Sequence, residues 1–116
     1  MELEQKNKYK LSFWIEWDGT CLWAKNDKAR ERFGYAVDNN DLPVSKNLIN
    51  ELDMLGKEYQ TALDWNYPPD PSPWIKEQAL DFKMRADKAY LRLINELGVE
   101  YEVKYELTIP YGREKL

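Results

Sequence analysis

Hydrophobic and polar residues alternate along two segments of this chain, one near each end. The first runs from residue 9 to residue 17, and the second runs from residue 99 to residue 107. Alternation of this kind predicts a half-buried β-strand in each segment. The residues expected on the buried sides are Tyr9, Leu11, Phe13, Ile15 and Trp17, and then Val99, Tyr101, Val103, Tyr105 and Leu107. Trp14 is an exception, because it falls on the polar side of the first strand with Ser12.

A tight hairpin and a short helix are predicted directly after the first strand. Asp18 and Gly19 favour a hairpin turn, because both residues tolerate a positive φ, and residues 20–24 are expected to return as the second strand. Asn26 or Asp27 is suited to cap a helix that extends to residue 32 or 33, and Gly34 is suited to end it. Residues 35–37 are expected to form a brief strand.

Two amphipathic helices are predicted in the second half of the chain. The first is expected to begin at Ser45, a good N-cap residue, and to end near Asp64. The second is expected to have Ser72 as its N-cap, Pro73 in its first turn and Gly98 at its end. Apolar residues three or four positions apart form a stripe on each helix. These stripes are Leu48, Leu52, Leu55, Tyr59 and Ala62, and then Ile75, Ala79, Phe82, Ala86, Tyr90, Leu93 and Leu97.

This order of elements predicts an α+β fold. The N-terminal hairpin and the C-terminal strand are expected to share an antiparallel or mixed sheet, with the two long helices packed on one of its faces. The last strand then has to pair beside an early one. A length of 116 residues fits a single domain over residues 1–116, with residues 1–8 and 110–116 as loose tails.

Cysteine content and hydropathy indicate the compartment. The single cysteine, Cys21, excludes a disulfide framework within the chain and fits a reducing environment. No apolar run approaches the roughly 20 residues that a membrane-spanning helix needs. The charged segment from Met1 to Lys8 lacks the apolar centre of a signal peptide. We therefore expect a cytoplasmic protein that does not enter a membrane.

Charge is unevenly distributed along the chain. The net charge of −4 disfavours non-specific binding to nucleic acid, which depends on cationic contacts to phosphate. Residues 38–70 contain seven acidic residues and two lysines, a net charge of −5. This acidic sector would attract a basic partner and speed their encounter. The alternative interpretation is a solvated helix face flanked by acidic loops.

The chain lacks the sequence features of the common catalytic and metal sites. It contains no histidine, which removes the usual general base and the commonest metal ligand. Cys21 has no cationic neighbour in the sequence and is interpreted as a core residue. All five glycines are isolated, so there is no phosphate-binding loop. We therefore expect no catalytic residues, no metal and no cofactor. A small enzyme ranks last among the alternatives, either one that binds a nucleotide or one that uses carboxylate pairs such as Glu100 and Glu102, as a glycosidase does.

A proline-rich segment between the two long helices is the strongest candidate for a binding loop. Residues 63–74 contain four prolines together with aromatic and acidic side chains. Prolines fix the loop in advance, so these side chains would lose little entropy on binding. The predicted partner-binding residues are Asp38, Asp41, Asp64, Trp65, Tyr67 and Asp70. Alternatively, Trp65 and Trp74 plug the end of the core, and the loop is only a connector.

Several short motifs together resemble those of a family of small bacterial proteins of unassigned activity. They are Cys-Leu-Trp-Ala-Lys-Asn-Asp at 21–27, Phe-Gly-Tyr at 33–35, Leu-Pro-Val-Ser at 42–45, the proline segment from Leu63 to Trp74, and Glu-Leu-Gly at 96–98. In its size and acidity, the chain is also similar to immunity proteins that bacteria pair with contact-dependent or other polymorphic toxins. This second resemblance implies a complex with a cognate toxin domain, often a basic nuclease, and no turnover. The alternative function is an intracellular regulatory or adaptor domain in a larger assembly.

Overall fold

A computed structural model of the chain describes residues 8–16, 19–62 and 72–109. Within these ranges it contains four strands, three α-helices and one short 3₁₀ helix. In chain order these are β1 (Tyr9–Phe13), β2 (Leu22–Ala24), α1 (Asp27–Phe33), β3 (Ala36–Val37), the 3₁₀ helix (Asn39–Asp41), α2 (Lys46–Gln60), α3 (Lys76–Leu97) and β4 (Tyr101–Tyr105). The predicted α+β class is confirmed.

The four described strands form one mixed sheet in the order β3-β2-β1-β4. β1 and β2 pair antiparallel, as do β2 and β3. β4 pairs parallel with β1, with Leu11 opposite Val103 and Phe13 opposite Tyr105. The prediction that the last strand pairs beside an early one is therefore confirmed, and β3 and β4 lie at opposite edges of the sheet.

All three described helices pack against one face of this sheet. Phe13 of β1 points to that face, and its ring stacks on Tyr90 of α3 with the centroids 5.7 Å apart. Phe33 of α1 meets Tyr9 edge to face at 5.9 Å. The buried stripe of α2 belongs to the same core and consists of Leu48, Leu52, Leu55 and Tyr59, followed by Ala62. The two predicted long helices thus lie on one face, as expected.

Local capping explains where the helices begin and end. The side chain of Asn26 accepts a hydrogen bond from the Ala29 N–H at 3.0 Å, which starts α1. Ser45 Oγ accepts from the Leu48 N–H at 3.2 Å, which starts α2 at the predicted residue. Gly34 and Gly98 follow α1 and α3 with φ angles of +81° and +82°, which other residues rarely adopt. These capping predictions are confirmed.

The predicted start of the second long helix is wrong. The helix α3 begins at Lys76, and Ile75, expected in its buried stripe, is 51% exposed. Ser72 caps only a turn, because its Oγ accepts a hydrogen bond from the Trp74 N–H at 3.2 Å. Trp74 is 2% exposed, and its indole N–H donates to Thr61 Oγ1 at 2.8 Å. Burying this large ring directs the chain into the core before the helix can start.

The strands are shorter than the alternation predicts. Val99, expected on a buried strand face, is 86% exposed because it lies in the turn after Gly98. On β1, Ser12 was expected to face solvent, but it is 0% exposed and its hydroxyl donates to Glu106. The hairpin continues past β1 without regular strand geometry, since the Glu16 N–H still donates to the Thr20 carbonyl at 3.0 Å.

Some predictions concern residues outside the described ranges. Among them are Asp18 of the turn, Trp17 of the strand, residues 1–7 of the predicted tail at 1–8, and the predicted tail at 110–116. Lys8 is described, and its carbonyl accepts a hydrogen bond from Asn26 Nδ2 at 2.9 Å. No helix in the described part of the chain is long and apolar enough to cross a membrane.

Candidate functional site

An acidic hollow lies where the β3 edge of the sheet meets the 3₁₀ helix and α2. Its volume is about 350 Å³. The hollow, which we call the β3 hollow, is lined by Gly19, Thr20, Ala36, Val37, Asp38, Asn39 and Asp53. Both charged residues of this set are aspartates, so the hollow is a negatively charged surface beside an edge strand.

The 3₁₀ helix positions two of the predicted partner-binding residues. Asp38 is its N-cap, and the Asp38 carboxylate accepts a hydrogen bond from the Asn40 N–H at 2.9 Å. The Asp41 N–H donates to the Asp38 carbonyl at 2.9 Å, which closes the turn. Both aspartates are exposed. The structure therefore places Asp38 and Asp41 on one short turn, with Asp38 directly at the hollow.

Asn39 connects this turn to α2 through a buried amide. Its side chain is 9% exposed, and Nδ2 donates to Asp53 Oδ1 at 2.8 Å. The other amide atom, Asn39 Oδ1, is buried and has no hydrogen-bond donor among the described residues. A buried acceptor without a donor costs free energy, so it is an unusual feature in a folded protein. Sequence reasoning did not single out Asn39 or Asp53.

Ion pairing divides the acidic sector into two parts. Glu51 lies 3.3 Å from Arg92, and Glu58 Oε1 accepts from Arg85 at 2.7 Å, so α3 neutralises the carboxylates on the inner side of α2. The hydrogen bond from Arg85 to Glu58 also raises the pKa of the guanidinium above its ordinary value. In contrast, Asp38, Asp41 and Asp53 have no ion pair with any described residue. Within the described part of the acidic sector, the unneutralised charge therefore lies at and beside the β3 hollow.

The remaining predicted partner-binding residues lie outside the described residues. These are Asp64, Trp65, Tyr67 and Asp70 on the proline segment. Their place beside Asp38 and Asp41 therefore stays a prediction. Trp74, at the described end of that segment, contacts Phe82 with ring centroids 5.0 Å apart. Trp74 is thus a core residue, as the alternative interpretation of the loop expected.

Three aromatic residues form a cluster on the sheet face away from the described helices. Trp14 stacks on Trp23 with centroids 4.6 Å apart, and the Trp23 indole N–H donates to the Trp14 carbonyl at 3.0 Å. Tyr35 meets Trp23 edge to face at 5.8 Å and is itself 67% exposed. One feature of the sequence indicated this cluster, because Trp14 falls on the polar side of its predicted strand. Tyr35 precedes β3, so the cluster borders the same sheet edge as the β3 hollow.

The described residues offer little for metal or nucleophilic chemistry. Among them, no group of three or more Cys, Asp or Glu side chains is arranged to hold a metal ion. Cys21 is 0% exposed, and its thiol lies 3.4 Å from the Leu52 carbonyl, so it belongs to the core. What the surface offers instead is a set of exposed carboxylates near an aromatic cluster whose Tyr35 ring is exposed, and aromatic residues are enriched at protein-binding sites.

Comparison with known proteins identifies the family to which the chain belongs. A family model described as Serratia CdiI immunity protein-like matches residues 9–107. The match begins at the first residue of β1 and ends beyond β4, so it includes every described strand and helix. The chain therefore belongs to this family, and the predicted resemblance to immunity proteins is confirmed. No curated protein matches the chain.

Proposed function

We propose that this chain is an immunity protein that binds a cognate bacterial toxin domain in the cytoplasm and neutralises it without catalysis. The observation that carries the proposal is the family match over residues 9–107. The unpaired carboxylates around the β3 hollow support it, since they offer a basic toxin domain a complementary surface.

Inhibition by occlusion is the mechanism that fits this surface best. A toxin that cleaves nucleic acid has a basic active site, because it must bind phosphate groups. Carboxylates such as Asp38 and Asp41 would occupy that site in place of the phosphates. The proposed interface also includes Asp64, Trp65, Tyr67 and Asp70 on the proline segment, with the aromatic rings as its apolar anchors.

Neutralisation in living cells is the direct test. The C-terminal domain encoded by the gene immediately upstream would be expressed under an inducible promoter, with and without this chain. We expect growth arrest without the chain and normal growth with it. The purified pair should form a one-to-one complex by analytical ultracentrifugation. Unchanged arrest in the presence of folded chain, together with no complex, would contradict the proposal.

A control toxin keeps this experiment specific. A toxin domain of similar size and charge from an unrelated locus should arrest growth whether or not the chain is present. Protection against both toxins would indicate a general effect on expression or growth. Protection against the cognate domain alone would support a dedicated immunity function.

A further inference from the structure

The geometry points to the β3 hollow as a receptor for one arginine side chain of the partner, an inference that rests on the proposed function. The guanidinium would lie between the carboxylates of Asp38 and Asp53 and donate a hydrogen bond to Asn39 Oδ1. This assigns the hollow a specific ligand, whereas the proposed function requires only a complementary surface.

Two carboxylates from different elements meet at the hollow. Asp38 belongs to the turn that follows β3, and Asp53 lies on the exposed side of α2. Asp38 accepts only from Asn40, and Asp53 accepts from Asn39, so neither carboxylate has a cationic partner among the described residues. Each ionised carboxylate has about four acceptor positions, most of which are therefore open to a ligand.

The unpartnered oxygen of Asn39 is the independent observation that indicates a donor ligand. The Asn39 amide is held by its bond to Asp53, while Oδ1 is left without a donor in a side chain that is only 9% exposed. Asn39 lines the hollow, so a ligand there that donates an N–H group to this oxygen would remove the cost. A carboxylate or phosphate ligand has no N–H group to donate.

Arginine fits these acceptors better than lysine does. A guanidinium has five N–H donors in one plane, so it can bond a carboxylate with two of them and still reach a neighbouring acceptor. An ammonium group is a compact point charge whose three donors do not lie in one plane, so it cannot bond a carboxylate in the same two-point geometry.

A small-molecule titration tests the hollow without any toxin. Nα-acetyl-arginine amide would be added to isotope-labelled protein while two-dimensional NMR spectra are recorded. The citrulline analogue, which has the same shape but no charge, serves as the matched ligand control. We expect saturable shifts of the Asn39 side-chain amide and of the Gly19 and Thr20 backbone amides with arginine only. The dissociation constant should be on the order of millimolar for a single side chain.

Substitutions then connect the shifts to the two carboxylates. Asp53→Asn and Asp38→Asn should each weaken arginine binding about ten-fold, since each removes a charge-assisted hydrogen bond. Glu102→Gln, on β4 at the opposite sheet edge, is the matched control and should leave the affinity unchanged. Circular dichroism and the thermal midpoint would verify that each variant is folded.

The possible outcomes separate this inference from the proposed function. Absence of saturable shifts, equal shifts with citrulline, or a stronger response to calcium chloride alone would overturn the arginine receptor. Any of these results could occur in a chain that still protects cells from its toxin. Conversely, a chain that fails to neutralise the upstream domain but binds the arginine probe would contradict the proposed function and leave the receptor intact.

Discussion

Gly56 packs so closely against the backbone of Gly19 that it has no room for a side chain. A β-carbon placed on Gly56 would lie 2.4 Å from the Gly19 carbonyl oxygen, well inside any normal contact. Gly19 belongs to the hairpin turn and has a φ of +94°, while Gly56 lies inside α2. This contact fixes the hairpin against the helix that carries Asp53, and so it sets one wall of the β3 hollow.

The first prediction concerns this contact. Gly56→Ala should lower the free energy of unfolding by about 1–3 kcal/mol, because the new methyl group forces the hairpin away from α2. Alanine normally makes a helix interior more stable than glycine does, by about 1 kcal/mol. Even a small net loss of stability would therefore mean that the steric clash outweighs this gain. Met54→Ala, at a 66% exposed position of the same helix, is the control. Urea denaturation measures the free energy of unfolding of both variants. A more stable Gly56→Ala variant would contradict the close contact.

The second prediction tests which side of α3 is buried. Leu93 is 0% exposed, whereas Leu91, two residues earlier, is 64% exposed. Leu93→Ala should therefore cost about 2–5 kcal/mol as a core truncation, and Leu91→Ala should cost less than about 1 kcal/mol. Denaturant unfolding of the two variants compares the same chemical change on opposite sides of one helix. Similar losses in both would mean that the buried side is wrongly assigned.

The third prediction concerns pH and the Glu96 carboxylate. The Ser45 N–H donates a hydrogen bond to the Glu96 carboxylate at 2.6 Å, and this bond is the main cause of a lowered pKa of Glu96. The Ser45 hydroxyl and Arg92 lower the pKa further, whereas desolvation opposes the shift. A lowered pKa in the folded state stabilises the protein above the unfolded-state pKa, and the effect is lost as pH falls through the folded-state value. Glu96→Gln should therefore be less stable than the natural chain at neutral pH. The difference should shrink between about pH 5 and about pH 3.

Thermal midpoints across this pH range provide the measurement for Glu96. Glu31→Gln, at an exposed position on α1, removes one negative charge elsewhere and corrects for the change in net charge. A difference between Glu96→Gln and the natural chain that stays constant with pH would show that the Ser45 contact does not stabilise the charged carboxylate.

The fourth prediction rests on the proposed function and concerns the rate at which the chain would bind its toxin domain. Raising salt from about 0.05 M to about 0.5 M shortens the Debye length from about 14 Å to about 4 Å, so association should slow markedly while dissociation changes little. Simultaneous reversal to lysine of Asp38, Asp41, Asp64 and Asp70 should slow association at low salt in the same way. Stopped-flow mixing with the toxin domain that the neutralisation experiment identifies measures the rates.

Two double variants with the same change in net charge test whether the acidic sector itself guides the encounter. Asp38→Lys combined with Asp41→Lys should slow association more than Glu31→Lys combined with Glu102→Lys, although both pairs change the net charge equally. All four residues are exposed. Equal slowing by the two pairs would show that net charge, and not the surface around the β3 hollow, guides the encounter.

The sequence by itself determined most of the elements and the core. Periodicity identified β1, β4 and the buried stripes of α2 and α3, because side chains repeat every two residues on a strand and every three or four on a helix. Asn26, Ser45, Gly34 and Gly98 marked helix ends through capping and through φ angles that are local properties of the residues. Such features need no knowledge of the rest of the chain.

Only the tertiary structure decided the start of α3, the close contact of two glycines and the composition of the β3 hollow. The capping pattern at Ser72 and Pro73 gave way to the burial of Trp74 against Phe82, a contact between different elements. Asn39 and Asp53 are fourteen positions apart and meet only because the 3₁₀ helix lies against α2. Local periodicity contains no information about such pairs, since their distance depends on how the helices pack on the sheet.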